Sequence, residues 1–336
     1  MKAAVFKTLA KPLVIEEITD PVPAEDEVVV EVGRCGICGS DLHMTEDPAF
    51  GVRPGTVLGH EYAGEVMAAG SAVNNLKTGD RVSVSPLRGC GKCPTCLSGQ
   101  PAWCEKRRLE GGGYAQYSLA TDRQCVKLPA DVSLEDGALA EPLSVALHGV
   151  MISKMKAGDR VLVIGAGPIG LGTAYWARRL GAHRVTVMDL NRYQEERARE
   201  MGATDFFAGT ENPVAAVNAA LGGPPDIVFE CVGKSGLIKQ CLDHVRIHGT
   251  IVILGLCTAP DTFIPFEAVS KEVNIQTSAF FTAQEFSMSI DALESDKVSP
   301  HAMITDTVSL GDMPAAFEAL RRRTTQCKVL VDPRGR

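Results

Sequence analysis

In the second half of the chain, short apolar runs alternate with longer stretches whose hydrophobic positions recur at helical spacing. The apolar runs predict strands at Val161–Ile164, Val185–Met188, Ile227–Glu230, Thr250–Leu254 and Val273–Ser278. Helical stretches begin near Pro168, Tyr193, Pro213 and Ser235. Strands and helices in strict alternation are typical of crossover connections, so this half is expected to form a doubly wound parallel sheet.

The first half has a different pattern. Short strand-like runs, such as Ala3–Phe6, Glu27–Val32 and Arg81–Ser85, lie between turns rich in Gly and Pro. This texture predicts an irregular, mostly antiparallel β domain. After Phe281 come two helical stretches and a last strand, Cys327–Val331, and this tail is too short to fold alone.

Length and composition agree with two folded domains. The 336 residues are 45% hydrophobic and 22% charged, which is ordinary for a globular protein, and the chain is too long for one ordinary core. We therefore expect an α/β protein. Its first domain is predicted to be residues 1–142, to which residues 282–336 return, and its second domain residues 143–281.

The charge of the chain limits its partners. A formal net charge of −7 argues against broad electrostatic binding to nucleic acid or to an anionic membrane. Apolar runs stay well short of the roughly 18 residues of a transmembrane helix, and the N-terminal residues lack the long apolar core of a secretory signal. The sequence thus predicts a cytoplasmic protein, in which eleven cysteines are not expected to form disulfides.

A glycine-rich turn follows the first predicted strand of the second half. Its residues are Gly165, Gly167, Pro168, Ile169 and Gly170, and a helix is predicted directly after it. The glycines permit a tight turn, close approach of the backbone to a pyrophosphate and close packing of helix on strand, while the helix N-terminus attracts phosphate. Between a strand and a helix, this turn predicts a dinucleotide-binding site.

The cofactor expected at this site is NAD. The next predicted strand leads to Asp189, where a carboxylate accepts hydrogen bonds from the adenosine ribose and repels the 2′-phosphate of NADP. Arg192 nearby acts in the opposite direction, because an arginine can bind that phosphate. It can equally stack on the adenine.

Four cysteines lie within fifteen residues. Cys90, Cys93, Cys96 and Cys104 have the short spacings of a tetrahedral zinc site, and four thiolates close the coordination sphere, so the site is expected to be structural. A zinc ribbon that binds nucleic acid is the rival interpretation, but basic residues are not clustered here. Six other cysteines are expected to be small buried hydrophobic residues: Cys35, Cys125, Cys231, Cys241, Cys257 and Cys327.

Two further segments contain metal-ligand residue types. One reads Gly36-Ile-Cys38-Gly-Ser40-Asp41-Leu-His43, and the other reads Gly59-His60-Glu61. Together with the cysteine motif and the glycine-rich turn, in this order and over essentially the whole chain, they resemble the zinc-containing medium-chain dehydrogenase/reductase superfamily. The chain looks closest to the branch of sorbitol, threonine and butanediol dehydrogenases. The resemblance implies a GroES-like first domain and a Rossmann second domain.

The resemblance implies a role for each of these residues. Cys38 and His60 match two ligands of a catalytic zinc ion. Asp41 matches the carboxylate that orients the ligand histidine, a common arrangement around zinc. Ser40 and His43 match the relay that carries the proton of the substrate hydroxyl outward.

The third protein ligand of the catalytic zinc has two candidates. Glu141 stands shortly before the second domain, where the family often has a cysteine ligand, and polyol-type members have a glutamate. In that branch the alternative is that Glu61 binds the metal while Glu141 holds the metal's water. The sequence leaves both arrangements open. A carboxylate in place of a thiolate makes a harder metal site, which suits oxygen-rich substrates.

The implied activity is reversible oxidation of a secondary alcohol or polyol to a ketone. Zinc acidifies the bound alcohol, and NAD accepts the hydride. The resemblance places these residues at the nicotinamide end of the cofactor: Cys231, Val232, Gly233, Leu254, Gly255, Ser278 and Ala279.

The resemblance also implies two zinc ions per subunit, one for each ligand set, and a homo-oligomer. A tetramer is favoured over a dimer, with the strand Val273–Phe280 pairing between subunits.

Other functions compete with this one. A zinc-dependent aldehyde or ketone reductase using NADPH has the same motifs. A zinc-free quinone reductase would leave Cys38, His60 and the cysteine motif without purpose, and a zinc-ribbon nucleic-acid-binding protein is opposed by the acidic charge. The particular alcohol is not determined. The stretch between Cys104 and Gly111 is shorter than expected for the polyol branch, and it borders the substrate cleft in the family.

Overall fold

The computed structural model describes residues 1–209, 214–295 and 300–335. The chain forms two compact units. The β unit comprises Met1–Glu141, Thr282–Asp296 and Ile304–Arg336, and the α/β unit comprises Pro142–Phe281 and Lys297–Met303. The first division of the chain lies between Glu141 and Pro142.

Short strands build the N-terminal part of the β unit. They are β1 (Lys2–Val5), β2 (Val14–Glu17), β3 (Glu27–Gly36), β4 (Glu61–Ala69), β5 (Arg81–Val84), β6 (Leu87–Arg88), β7 (Arg108–Leu109), β8 (Tyr117–Thr121) and β9 (Cys125–Lys127). Its helices are α1 (Gly39–Glu46), α2 (Pro94–Leu97) and α3 (Leu134–Gly137), and α4 (Ala140–Ile152) begins here and continues into the α/β unit. Along β3 the alternate residues Val28, Val30 and Val32 are fully buried, as expected of β-branched side chains that point to one face of a strand.

Parallel strands form the centre of the α/β unit. They are β10 (Arg160–Ile164), β11 (Arg184–Asp189), β12 (Asp205–Ala208), β13 (Ile227–Glu230), β14 (Thr250–Ile253) and β15 (Asn274–Thr277). The helices are α5 (Pro168–Arg179), α6 (Glu195–Glu200), α7 (Val214–Leu221), α8 (Leu237–His244) and α9 (Pro265–Lys271). The order across the sheet is β12-β11-β10-β13-β14-β15. This order confirms the doubly wound sheet. Successive strands are added on one side of β10 as far as β12 and on its other side from β13 onward, and ligands bind at the carboxyl ends of the strands where this order reverses.

Some elements differ from the sequence pattern. The helices expected near Tyr193 and Ser235 begin at Glu195 and Leu237, and the start expected near Pro213 lies outside the described residues. The pattern does not predict α9, because none of its residues is buried and no apolar stripe marks it. It also does not predict β12, which is only four residues long.

The C-terminal residues complete the β unit. They form α10 (Ala283–Ser295), β16 (Ile304–Ser309), α11 (Met313–Ala319) and β17 (Lys328–Asp332). β17 lies antiparallel to β3, with Leu330 opposite Gly36, and the sheet runs β16-β17-β3-β4-β5-β9 with β8 also paired to β3. One short piece departs from the expected return of the tail, since Pro300–Met303 packs on α5 and α6 of the α/β unit. In the described parts of the chain, no helix is long and apolar enough to cross a membrane.

Candidate metal and cofactor sites

The pairing of β3 with β4 brings together the first group of metal-ligand residues. Gly36 lies opposite Glu61 in this antiparallel pair, so Cys38, just after β3, faces His60, just before β4. One ligand atom from each of Cys38, His60 and Glu61 lies within 4.8 Å of the others. His60 and Glu61 are buried and Cys38 is half-buried. Sulfur, imidazole and carboxylate donors at this separation fit a zinc ion.

Two side chains of α1 orient this group. Asp41 is completely buried, and its Oδ1 lies 3.1 Å from His60 Nδ1, which leaves Nε2 of the ring for a metal. Ser40 Oγ lies 3.2 Å from Cys38 Sγ and 3.4 Å from His60 Nε2. The hydroxyl therefore lies beside the place where these two residues would hold a metal. His43, expected to be the next member of the relay, is exposed on the following turn. Burial lowers the pKa of His60, but the charges of Asp41 and Cys38 outweigh burial and raise this pKa well above its usual value. The same negative field favours a bound cation.

Lys328 of β17 belongs to the site, although the sequence pattern does not identify it. Its ammonium forms a buried ion pair with Glu61 Oε2 and donates to Ile37 O at 3.3 Å. The two side chains are 2% and 1% exposed. A lysine within the apolar strand Lys328–Asp332 is the one signal that sequence reasoning could have used, because a buried charge needs a partner.

Glu141 lies near this group but outside it. The close set of ligand atoms in the described residues contains Glu61 and not Glu141. Glu141 is 7% exposed. Burial, with the charges of Glu61 and Asp41, raises the pKa of Glu141 to about 7, while His60 and Lys328 act to lower it.

The cysteine motif also forms a compact group. One Sγ from each of Cys90, Cys93, Cys96 and Cys104 lies within 4.8 Å of the others. Two of the Sγ–Sγ distances, Cys90–Cys96 and Cys93–Cys104, are 4.0 and 3.8 Å. A tetrahedron with Zn–S bonds of about 2.3 Å has edges of about 3.8 Å. The sulfurs therefore fit a closed four-thiolate zinc site.

Backbone amides favour the thiolate form of Cys90 and Cys104, whereas burial raises the pKa of Cys96 to about 11. The amides of Cys90 and Lys106 approach Cys104 Sγ at 3.4 and 3.3 Å. Hydrogen bonds from the backbone of Lys92 and Cys93 lower the pKa of Cys90 to about 6. Since zinc binds the thiolate rather than the thiol, this loop is prepared for metal.

The expectation that the other cysteines are buried is partly wrong. Cys35, Cys125, Cys241 and Cys327 are buried, but Cys231 and Cys257 are only partly buried. Both follow strands of the α/β sheet at its carboxyl edge, where the chain leaves the core, and Cys257 Sγ donates to Ala259 O at 3.3 Å.

The glycine-rich turn of the α/β unit has the geometry of a phosphate-binding loop. Gly165 has a φ of +101°, and a Cβ there would lie 2.6 Å from Val232. A Cβ at Gly170 would lie 1.8 Å from the carbonyl oxygen of Gly165, so only glycine allows this packing of helix against turn. Gly167 caps α5, and Pro168 and Ile169 form its first turn. The unpaired amides of this helix start are available to an anion.

Asp189 and Arg192 lie where the adenosine end is expected. Asp189 Oδ2 accepts from the amide of Ala166 at 2.8 Å, and its Oδ1 accepts from Leu190 at 2.6 Å. The carboxylate is thereby fixed against the glycine-rich turn. Arg192 instead forms an ion pair with Glu195 at 2.5 Å.

The residues expected at the nicotinamide end follow three neighbouring strands at the same edge of the sheet. Cys231, Val232 and Gly233 follow β13, Leu254 and Gly255 follow β14, and Ser278 and Ala279 follow β15. Glu230, for which the sequence pattern indicates no separate role, organises the first of these loops. Its Oε1 accepts from the amides of Val232 and Gly233 at 2.7 and 2.8 Å. The sequence signal for this role is an acidic residue at the end of the otherwise apolar, buried strand β13.

A metal-ligand group in a β unit, with a dinucleotide turn in a doubly wound unit, defines the class of metal-dependent nicotinamide dehydrogenases. Two family models match the chain: alcohol dehydrogenase GroES-like domain over residues 24–130 and zinc-binding dehydrogenase over residues 168–295. The chain belongs to the zinc-containing medium-chain dehydrogenase/reductase family. It is a zinc-dependent oxidoreductase of the alcohol dehydrogenase type that uses NAD(P).

Individual relatives cover nearly the whole chain. D-xylulose reductase A from Aspergillus oryzae is 34% identical over 309 residues, which are 88% of this chain and 86% of the relative. A structure of 2R,3R-butanediol dehydrogenase from Bacillus subtilis has a TM-score of 0.88 at 30% identity and covers 99% of both chains. A structure described as a zinc-binding dehydrogenase from Sinorhizobium meliloti 1021, bound to NADP, has a TM-score of 0.89 at 31% identity and covers 99% of both chains. These findings confirm the fold class, the family and the class of reaction expected from the sequence.

Proposed function

We propose that the protein oxidises a secondary hydroxyl group of a diol or polyol to a ketone, with NAD as the hydride acceptor. The observation that carries the proposal is the close group of Cys38, His60 and Glu61, whose ligand atoms lie within 4.8 Å of one another. A carboxylate in this group makes a harder metal site than a second thiolate, which suits a substrate with neighbouring oxygens. D-xylulose reductase and butanediol dehydrogenase among the relatives support this substrate class.

Cys38, His60 and Glu61 are proposed to hold the catalytic zinc. Zinc would acidify the substrate hydroxyl, and NAD would accept the hydride. Glu61 is favoured over Glu141 because its carboxylate lies in the close group, with one oxygen anchored by Lys328. Glu141, buried beside the group, is proposed to hold a water molecule.

Two residues of α1 are proposed to move the hydroxyl proton. Ser40 Oγ, at 3.2 Å from Cys38 Sγ, is placed to accept it from the substrate. His43 is exposed, so it can pass that proton to solvent. Asp41 holds the His60 ring through Nδ1 at 3.1 Å and keeps the other nitrogen directed to the metal.

The group of Cys90, Cys93, Cys96 and Cys104 is proposed to hold a second, structural zinc. Its four sulfurs complete a tetrahedron and leave no position for a substrate. The expected content is thus two zinc ions per chain, one for each ligand group.

NAD is the proposed cofactor rather than NADP. The fixed carboxylate of Asp189 would repel a 2′-phosphate, and Arg192 is engaged by Glu195 at 2.5 Å. The relative bound to NADP makes the NADPH-dependent aldehyde or ketone reductase the second candidate. Measuring turnover with both cofactors separates the two.

We also propose a cytoplasmic homo-oligomer, with a tetramer favoured over a dimer. None of the eleven cysteines, all of which lie in the described residues, forms a disulfide, as a reducing compartment would keep them. β15 ends the α/β sheet, and nearby apolar side chains of the described chain are exposed: Ile264 at 61%, Phe266 at 73% and Val269 at 67%. An open strand edge beside exposed apolar residues is suited to pairing with a second copy.

A substrate screen tests the proposed function. NADH production from NAD and NADPH production from NADP are measured for the zinc-loaded protein with polyols, diols, threonine and simple secondary alcohols. We expect the highest kcat/KM among polyols and vicinal diols, and loss of that activity in Cys38→Ala. Turnover restricted to simple alcohols, or production of NADPH alone, would contradict the proposal.

A further inference from the structure

Tyr114 reaches the metal-ligand group through Asp41. Its hydroxyl donates to Asp41 Oδ2 at 2.5 Å, and His60 Nδ1 lies 3.1 Å from the other oxygen of the same carboxylate. Tyr114 and Asp41 are both completely buried. One carboxylate therefore joins a phenol to the ligand histidine in a place that bulk solvent does not reach, where a hydrogen bond to a charged group contributes most.

The ring of Tyr114 is fixed against the backbone that carries His60. It lies against Gly59, where an added Cβ would be 2.5 Å from the ring, and Gly59 has a φ of +85°. On another side the ring packs edge-on to Phe317, with the centroids 6.3 Å apart. The amide of Tyr114 donates to Leu58 O at 3.1 Å. The phenol thus has one position relative to Asp41 and His60.

We propose that Tyr114 is a positioning residue of the catalytic metal site, which acts through Asp41 to fix the His60 ring and thereby to retain zinc. The inference rests on the proposed function, since it takes Cys38 and His60 as zinc ligands. Without the phenol, the buried carboxylate loses a partner and is free to turn away from His60. Outer partners of a ligand histidine contribute about 10- to 100-fold to metal affinity.

The test compares Tyr114→Phe with Tyr62→Phe. Tyr62 is a suitable control because it is also buried, in the same hydrophobic core, but its hydroxyl pairs with Ser118 Oγ at 3.1 Å. Zinc release to a colorimetric chelator, the visible spectrum of the cobalt-substituted protein and the melting temperature are measured for both. The two proposed zinc ions are expected to be released in separate kinetic phases. The phase that is present in wild type and missing in Cys38→Ala is assigned to the catalytic zinc. We expect this phase to be about tenfold faster in Tyr114→Phe, with a changed cobalt spectrum, and unchanged in Tyr62→Phe.

The outcomes distinguish this inference from the proposed function. Release from Tyr114→Phe within about twofold of wild type, or equal acceleration in Tyr62→Phe, would overturn the role of Tyr114. If wild type and Cys38→Ala instead release zinc in the same phases, the proposed zinc site of Cys38 and His60 is overturned. If Tyr114→Phe does not fold, the five tyrosines are replaced by 3-fluorotyrosine, a stronger hydrogen-bond donor of nearly equal size. Slower zinc release then supports the inference, and unchanged release refutes it.

Discussion

At the scale of single residues, the chemistry of this protein depends on a few buried charges held by partners far away in sequence. Glu61 pairs with Lys328, 267 residues away, and both are nearly inaccessible. A buried charge that loses its partner is costly, so such pairs keep ligand side chains in place. On the cofactor side the carboxylate of Asp189 is only partly buried, and amides of the glycine-rich turn and of the next residue fix it.

Replacing Asp189 tests the cofactor choice. We expect the wild type to prefer NAD over NADP in kcat/KM by at least about tenfold, equivalent to about 1.4 kcal/mol. Asp189→Ala should shrink or reverse this preference, because the ribose loses its acceptor and the 2′-phosphate loses a repulsive charge. Arg192→Ala is the control and should change the preference little, since Glu195 already holds that side chain. Equal efficiency of the wild type with both cofactors would refute the argument.

Local motifs, and the family resemblance that they carry, predict the candidate ligands better than the partners of those ligands. The spacing of the four cysteines identifies them as ligands, and the resemblance identifies Cys38 and His60. Lys328 and Tyr114 reach the site only through strand pairing and core packing over long sequence distances. The choice between Glu61 and Glu141 depends on distances of this kind, which local sequence does not contain.

At the scale of elements, ion pairs at the ends of strands hold the α/β unit together. Asp226, just before β13, accepts from Arg160 of β10 at 3.0 Å and from Arg246, which follows α8, at 2.6 Å. Burial raises the pKa of Asp226, but the hydrogen bonds from Arg160 and Arg246 outweigh burial and lower the pKa to about 2. The strands themselves follow from their apolar runs, whereas α9, with no buried residue, leaves no such signal.

Replacing Asp226 by Asn should therefore destabilise the protein in a pH-dependent way. Because the folded-state pKa is lowered, the stabilisation is present above the unfolded value of 3.8 and is lost as pH falls towards about 2. We expect a loss of about 1 kcal/mol at neutral pH after allowance for solvent screening. Melting temperatures of wild type and variant across this pH range should converge at the acid end. The exposed Asp131→Asn is the control, and a difference that does not depend on pH would contradict the account.

The four-cysteine loop should act on stability rather than on chemistry alone. We expect Cys93→Ser or Cys96→Ser to lower the melting temperature and the zinc content, because a closed thiolate site contributes folding energy. Cys257→Ser, outside both ligand groups of the described chain, should leave the melting temperature unchanged. A Cys93→Ser protein with normal melting temperature and assembly but without turnover would show that the loop is not structural.

At the scale of the whole molecule, we predict an assembly of identical chains. The edge strand β15 is exposed along its length, and Phe266 on the adjacent helix α9 is 73% exposed. Burying such a face against a second copy removes apolar surface from water. Sedimentation of the wild type at micromolar concentration should show a tetramer, and Phe266→Glu should shift the protein towards smaller species. A monomeric wild type would overturn this prediction.

The most direct test of the central claim is the zinc content and turnover of Cys38→Ala and His60→Ala beside wild type. The wild type should bind two zinc ions per chain, one in each ligand group. Each variant should keep the four-cysteine zinc, lose the other ion and lose turnover, yet bind NAD with nearly normal affinity, because the glycine-rich turn lies in the other unit. Near-normal turnover in either purified variant, or two zinc ions retained with full activity, would contradict the account.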